Sequence, residues 1–301
     1  MRVSTNQYSL MMSGSLNQNS LGINKLMQQM ATGKRLLLPS DDPMASTRVL
    51  SLQREQAAIS QYQGNIEQAD ILLKKQETYM SNTVDVLHQV RDLILWAGND
   101  TNGPDELAAM ASELEQLQDT IVSLINAKDE NGKYMFAGNE VNTKPLERDA
   151  DGNWVYNGDD GVREVVVGDG VTIKLNINAG DLLFGDDGNL LDQMDELIAA
   201  LQDPDFDHAT NDVIERSLGM LDRTLGSVSS AITDLGSRQN SLTTMENGHS
   251  EVSLFNDALI GELEDLDYAD AMVQFNNYML ALQATQATYI KTANMSLFNM
   301  M

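Results

Sequence analysis

The sequence predicts a mainly α-helical fold with a small inserted β domain. In this α+β chain the N- and C-terminal halves build one long antiparallel helical bundle. Three observations predict it. Positions 45, 52, 59, 66, 73, 80, 87 and 94 hold Ala, Leu, Ile, Ile, Leu, Met, Leu and Ile, so every seventh residue is apolar for eight repeats. A second heptad run, Ile214, Leu218, Leu221, Leu225, Val228, Ile232, Leu235 and Leu242, occupies the other half. Between residues 133 and 188 the helical period stops, and Asp-Gly and Asn-Gly pairs separate short β-prone runs.

The first helix carries a stripe of Met12, Leu16, Asn19, Ile23, Leu26 and Met30, in steps of three and four. Ser, Asn, Gln and Gly surround it, so propensity alone holds it weakly. Gly33 ends it, and Pro39-Ser40-Asp41-Asp42-Pro43 turns the chain. Asp42-Pro43 is a start signal for the next helix, with Asp as N-cap and Pro in the first turn. That helix, from Ala45 to Ala97, spans about 80 Å at 1.5 Å per residue. Its companion row is uneven: Val49 and Val84 fit, whereas Gln56, Gln63, Asp70, Glu77 and Arg91 are polar. The seam is therefore narrow.

Gly98-Asn99-Asp100 stops the long helix. A third helix starts at Pro104 and carries Leu107, Met110, Leu114, Leu117, Ile121 and Leu124. It ends near Asn131-Gly132, a hairpin signal. Tyr134-Met135-Phe136, Trp154-Val155-Tyr156, Val165-Val166-Val167 and Val171 to Leu175 are the expected strands of the insert. A short helix runs from Leu190 to Leu201. A second long one, from Asn211 to Asp265, again spans about 80 Å. Its seam turns polar at Glu246, His249, Ser253 and Asn256 before Ile260 and Leu263. Two helices of matched length flanking an insert pair best antiparallel, each buried aliphatic side chain contributing about 1.5–3 kcal/mol. The last stripe is Met272, Phe275, Met279, Leu282, Tyr289 and Ala293.

The expected division is therefore 1–43 and 266–301 as terminal assembly segments, 44–132 and 189–265 as the two halves of the bundle, and 133–188 as the β insert. Charge supports it. All 45 acidic residues lie between Asp41 and Asp270, against 14 of the 19 basic ones, a local charge of −31. The ends outside that stretch carry +5 and no acid at all. Charge-poor stripes do not repel one another, so the expected assembly interface is Met12, Leu16, Ile23, Leu26, Met30, Met272, Phe275, Met279, Leu282 and Tyr289. With nothing to bury against in a single copy, these helices are expected to order on assembly between copies.

Composition excludes several functions. A net charge of −26 argues against nucleic acid and anionic membranes as partners. Cys is absent, which removes disulfides, thiolate metal sites and a Cys nucleophile. Met1 to Ser20 has no apolar run suited to a cleaved secretory signal, and no stretch approaches the roughly 20 apolar residues of a membrane span. No catalytic constellation is present, and no cofactor or metal is expected. His88, His208 and His249 are scattered and read as surface histidines. Gly33-Lys34 lacks the upstream glycine of a phosphate loop. Asp149-Ala150-Asp151-Gly152-Asn153 has the glycine misplaced for an EF-hand and no closing Glu, so it reads as a hairpin turn. Asp186-Asp187-Gly188-Asn189 reads as a turn with a helix cap. A calcium-dependent acidic binding protein using these loops is the reading from a different class.

Several stretches resemble the flagellin superfamily. They are Met1-Arg2-Val3-Ser4-Thr5, Ala31 to Arg35, Pro39 to Pro43, Asn131 to Gly138, Leu266 to Ala269, Ala284 to Tyr289 and Ser296 to Phe298. Within it, the opening and the stretch Asn142 to Leu146, with Gly152 to Gly158 and Val167 to Gly170, are similar to the hook–filament junction branch. The resemblance implies an extracellular structural subunit of the flagellum, exported through the flagellar channel without a cleaved signal. It also implies copies of itself in a ring, a hook-side junction protein and flagellin as neighbours, and a flagellar export chaperone. A small flagellin forming the filament itself is the nearest alternative.

Overall fold

The computed structural model describes residues 2–185, 188–204, 206 and 212–298. Seven helices are present among them: α1 (Arg2–Thr32), α2 (Pro43–Ala97), α3 (Pro104–Ile125), α4 (Ala179–Leu183), α5 (Leu190–Leu201), α6 (Val213–Glu264) and α7 (Tyr268–Phe298). Three antiparallel two-stranded ribbons lie between α3 and α5. They are β1 (Leu146–Arg148) with β2 (Trp154–Tyr156), β3 (Glu164–Gly168) with β4 (Val171–Lys174), and β5 (Phe184–Gly185) with β6 (Gly188–Asn189). The chain divides into two compact units, residues 1–58 with 250–301, and residues 59–249. The boundaries fall inside α2 and α6, whereas the sequence-based division places them at helix ends.

Helix ends follow the local chemistry. The Asp42 carboxylate accepts from Ala45 N at 3.1 Å and caps α2, with Pro43 as its first residue. Gly33 takes φ +73° and closes α1 through its N–H to Gln29 O. Asn189 caps α5 by accepting from Asp192 N at 2.7 Å. Asn211, the expected start of the second long helix, lies outside the described residues, as do Asp186, Asp187 and His208.

All eight heptad positions of α2, from Ala45 to Ile94, are buried. The polar companion row has its own logic. In the 59–249 unit Gln63 donates to Glu246, Gln239 donates to Glu77, and Arg91 pairs with Asp222. Positions rise along α2 as they fall along α6, so the helices are antiparallel there. In the other unit Gln56 donates to Ser253. Several polar interruptions of the two heptads therefore meet across the seam, where a group buried alone would cost about 1–3 kcal/mol, while Gln56 Oε1, Glu246 Oε2 and Asn256 Nδ2 are buried without a hydrogen-bond partner.

The β insert lies between the helices as expected, and Met135, Phe136, Leu146, Trp154 and Val167 join the same core as Leu73, Met80, Ile121 and Leu221. An isolated two-stranded ribbon is marginal in water, so each borrows a helical face. Side-chain amides fasten them. Asn126 donates to Leu146 O and accepts from Leu146 N, and Gln76 donates to Leu175 O. Arg238 donates to Lys174 O and Asn176 O, and a His249 ring nitrogen lies 2.7 Å from Val167 O. Arg148 forks onto Asp195 at 2.8 and 2.9 Å while stacking 4.4 Å over Trp154. Tyr134-Met135-Phe136 forms no strand. Met135, Phe136 and Ala137 are buried in succession, which an alternating strand on one face cannot do.

Candidate assembly surface

In the unit of residues 1–58 and 250–301, α1 and α7 run antiparallel against each other. The Tyr268 hydroxyl donates to Met30 O at 3.1 Å, and the Tyr278 ring lies over Gly22. A corner fixes where the pair begins. Arg35 N donates to Glu264 O and Leu266 N to Gly33 O, while the Arg35 guanidinium reaches Leu263 O. Lys34 pairs with Glu264. On the other side of the corner Asp41 accepts from Lys25 Nζ at 2.7 Å and from Leu37 N and Leu38 N at 3.1 Å. The Lys25 hydrogen bond, followed by the two backbone donors, holds the Asp41 carboxyl below its ordinary pKa of 3.8.

The predicted interface residues divide into two sets. Ile23 and Leu26 are buried, and Met12, Leu16, Met30, Phe275, Met279 and Leu282 are half-buried. These stripes find cover within one chain, which corrects the expectation that a single copy offers them nothing. The physical reason is the corner: it brings two charge-poor helices side by side before any second copy arrives. Met272 and Tyr289 are exposed at 46% and 42%. At the start of α7 Ala271 takes the inward position instead of Met272, at 2% exposure. A stripe of Phe275, Met279 and Leu282 extends back equally well to either residue, and the tight approach to the corner selects the smaller one.

The apolar residues left outside were missed by the stripe reading. They are Leu10, Met11, Leu21 and Met27 on α1, and Val273, Leu280 and Ile290 on α7, all exposed. The available signal was apolar residues on more than one face of helices with almost no acidic residues. A helix apolar all round is normally covered on every side. Farther along the same unit Val252, Leu254 and Phe255 of α6 are also exposed, whereas Asn256 is buried. What this arrangement offers is apolar area that another chain can bury.

Other sequence features resolve locally. The Asp149 carboxylate accepts from Asp151 N and Asn153 N, so the loop is a self-capped hairpin turn around Gly152 at φ +92°. His249 stacks on Tyr62 with ring centroids 5.5 Å apart. Among the described residues no cluster of three His, Cys, Asp or Glu side chains could hold a metal ion, and no helix is long and apolar enough to cross a membrane.

Comparison with known proteins agrees with this architecture. The model of a family described as the bacterial flagellin N-terminal helical region matches residues 3–141. Flagellar hook-associated protein 3 of Salmonella typhimurium is 30% identical over 321 aligned residues, covering 100% of this chain and 99% of that protein. The flagellin of Bacillus subtilis is 24% identical, covering 95% of this chain and 94% of its own. Among solved structures, a Vibrio parahaemolyticus chain provisionally described as a flagellar hook-associated protein superposes with a TM-score of 0.70 at 37% identity, over 75% of this chain and 100% of its own. The match to hook-associated protein 3 runs the whole length of both chains, through termini, bundle and β insert alike. The chain therefore belongs to the family of flagellar hook-associated protein 3.

Proposed function

We propose that this chain is an exported structural adaptor of the bacterial flagellum, forming the junction between hook and flagellin filament. The observation that carries the reading is the full-length kinship with flagellar hook-associated protein 3. The mode of assembly rests on α1 and α7. Their inner stripes cover each other only sparsely, with Ile23, Leu26 and Ala271 as their buried apolar residues among those described. Their outer faces keep Leu10, Met11, Leu21, Met272, Val273, Leu280, Tyr289 and Ile290 in water. Burying such residues releases about 25 cal/mol per Å² of apolar surface, enough to drive association of many copies. Sparse internal cover also makes the pair the element with most to gain in order when neighbours arrive.

In this reading the chain packs with copies of itself in a ring. It meets the hook-side junction protein on one side and flagellin on the other, and an export chaperone shields the apolar ends before export. Cells lacking the gene should carry intact hooks without filaments and release flagellin into the medium, visible by electron microscopy and immunoblotting. Copy number separates the adaptor from a small flagellin: about one ring per flagellum for the first, thousands for the second. Thousands of copies along the filament would replace the adaptor reading with the filament one.

A further inference from the structure

We propose that Gly22 and Tyr278 form a notch and knob that fix the register of α1 against α7, and so decide which residues the pair presents to neighbouring subunits. A side chain added at Gly22 would place its Cβ 2.8, 2.9 and 3.1 Å from the Cε1, Cζ and Cδ1 atoms of Tyr278. Real Cβ atoms do not approach so closely, so the ring occupies space that only glycine leaves open. Gly14, eight residues earlier on α1, has nothing within 4 Å of the same construction. Helix propensity disfavours glycine at both places, yet only Gly22 has a contact that requires it.

The rest of the α1–α7 seam specifies register weakly. Beside buried Ile23, Leu26 and Ala271 and half-buried Phe275, it consists of half-buried Met12, Leu16, Met30, Met279 and Leu282, flexible side chains that repack after a shift of one turn at small cost. The corner hydrogen bonds, from Leu266 N to Gly33 O, from Arg35 N to Glu264 O and from the Tyr268 hydroxyl to Met30 O, anchor one end. Tyr278 lies ten residues along α7 from Tyr268, nearly three turns, and supplies a second fixed point. Two fixed points on one antiparallel pair determine both its slide and its rotation. With these set, Leu10, Met11 and Leu21 share an outer surface with Val273, Leu280 and Ile290 in one arrangement only. The proposal rests on the reading of α1 and α7 as the assembly surface.

The test compares four chains, and the native sequence contributes no cysteine to complicate labelling. Gly22→Leu fills the notch, Gly14→Leu adds the same side chain in open space, and Tyr278→Phe keeps the ring. The double variant Gly22→Leu with Tyr278→Ala reverses knob and notch. Filaments per cell are counted, with export of each variant checked in the medium. Hydrogen exchange of α1 and α7 is followed in the purified full chain. Gly22→Leu should lose at least tenfold in filament number and exchange faster along both helices. The double variant should regain at least half of the filaments and slow the exchange again. Tyr278→Phe should match the native chain, and Gly14→Leu should match it in hydrogen exchange of the purified chain. Native behaviour of Gly22→Leu, a double variant as defective as the single one, or equally fast exchange of α1 and α7 in purified Gly14→Leu would each overturn the lock. Exchange in the purified chain tests the lock even where a gene deletion that spares filaments has already overturned the adaptor reading.

Discussion

The two compact units solve opposite problems. Residues 59–249 carry 35 acidic and 12 basic side chains around a continuous apolar core. Residues 1–58 with 250–301 carry 10 acidic and 7 basic ones, and bury little. Of the 23 large hydrophobic side chains exposed among the described residues, 17 belong to this second, smaller unit. Singly exposed apolar residues are ordinary, but this concentration on near-neutral helices is not. The acidic unit is complete as a single chain and keeps copies soluble. The terminal unit leaves its apolar outer faces uncovered, and in the proposed reading other chains cover them.

The comparison can be broken most severely at the core of the acidic unit. Phe136→Ala removes a fully buried ring and should destabilise that unit by about 3–5 kcal/mol. Replacing residues 133–188 with a Gly/Ser linker should prevent the unit from folding, since the core loses Met135, Phe136, Leu146 and Val167 together. Urea melts followed by circular dichroism report both. A native-like melt of the linker variant would show that the core does not need the insert.

The reverse outcome is expected on the terminal unit. Leu280, 63% exposed, and Leu10, 73% exposed, should accept Asp without any change in the melt of the purified chain. Assembly should fail in both, because a charge buried without a partner between subunits costs several kcal/mol. Filament counts beside immunoblots of exported protein check this. Undiminished filaments in Leu280→Asp would remove the outer face of α7 from the assembly surface.

A smaller effect sharpens the role of the amide clamps. Asn126→Ala leaves Leu146 N and O without their partner and should cost about 1–3 kcal/mol, whereas Asn126→Asp keeps the acceptor and should cost less. Chemical denaturation of the two variants decides whether the insert is fastened by these bonds or by packing alone.

The smallest expected effect lies at the corner of the terminal unit. The folded Asp41 carboxyl has its pKa lowered by Lys25 and by two backbone donors. Its contribution is present above the ordinary value of 3.8 and is lost as the pH falls through the lower folded value. The protection of the Leu37 and Leu38 amides, relative to the exchange rate of an unstructured chain at the same pH, should therefore fall only in acid below 3.8, and Asp41→Asn should flatten that response. Loss of protection as the pH falls from 7 to 5 would assign the corner to another group.

Much of this was legible in the residues themselves. Eight apolar heptad positions from Ala45 to Ile94 announce the long helix, and all are buried. Asp42-Pro43, Gly33 and Asn189 mark helix ends because caps act over three or four residues of local backbone. The kinship was also readable, since it rests on short runs at both ends and in the middle. Partnership was not. Nothing local tells Gln63 that Glu246 faces it, or Asn126 that Leu146 needs both its bonds. These residues lie 183 and 20 positions apart. Periodicity defined the terminal stripes through Ile23 and Leu26 but could not say whether another helix of the same chain or a second copy would cover them. It could not choose between Ala271 and Met272, nor see that Gly22 makes room for Tyr278. Periodicity and capping are properties of a few turns of one chain segment, and the sequence determines them. Which face meets which partner depends on chain closure through the corner at Gly33 and Leu266 and on side-chain shape, and only the tertiary structure decides that.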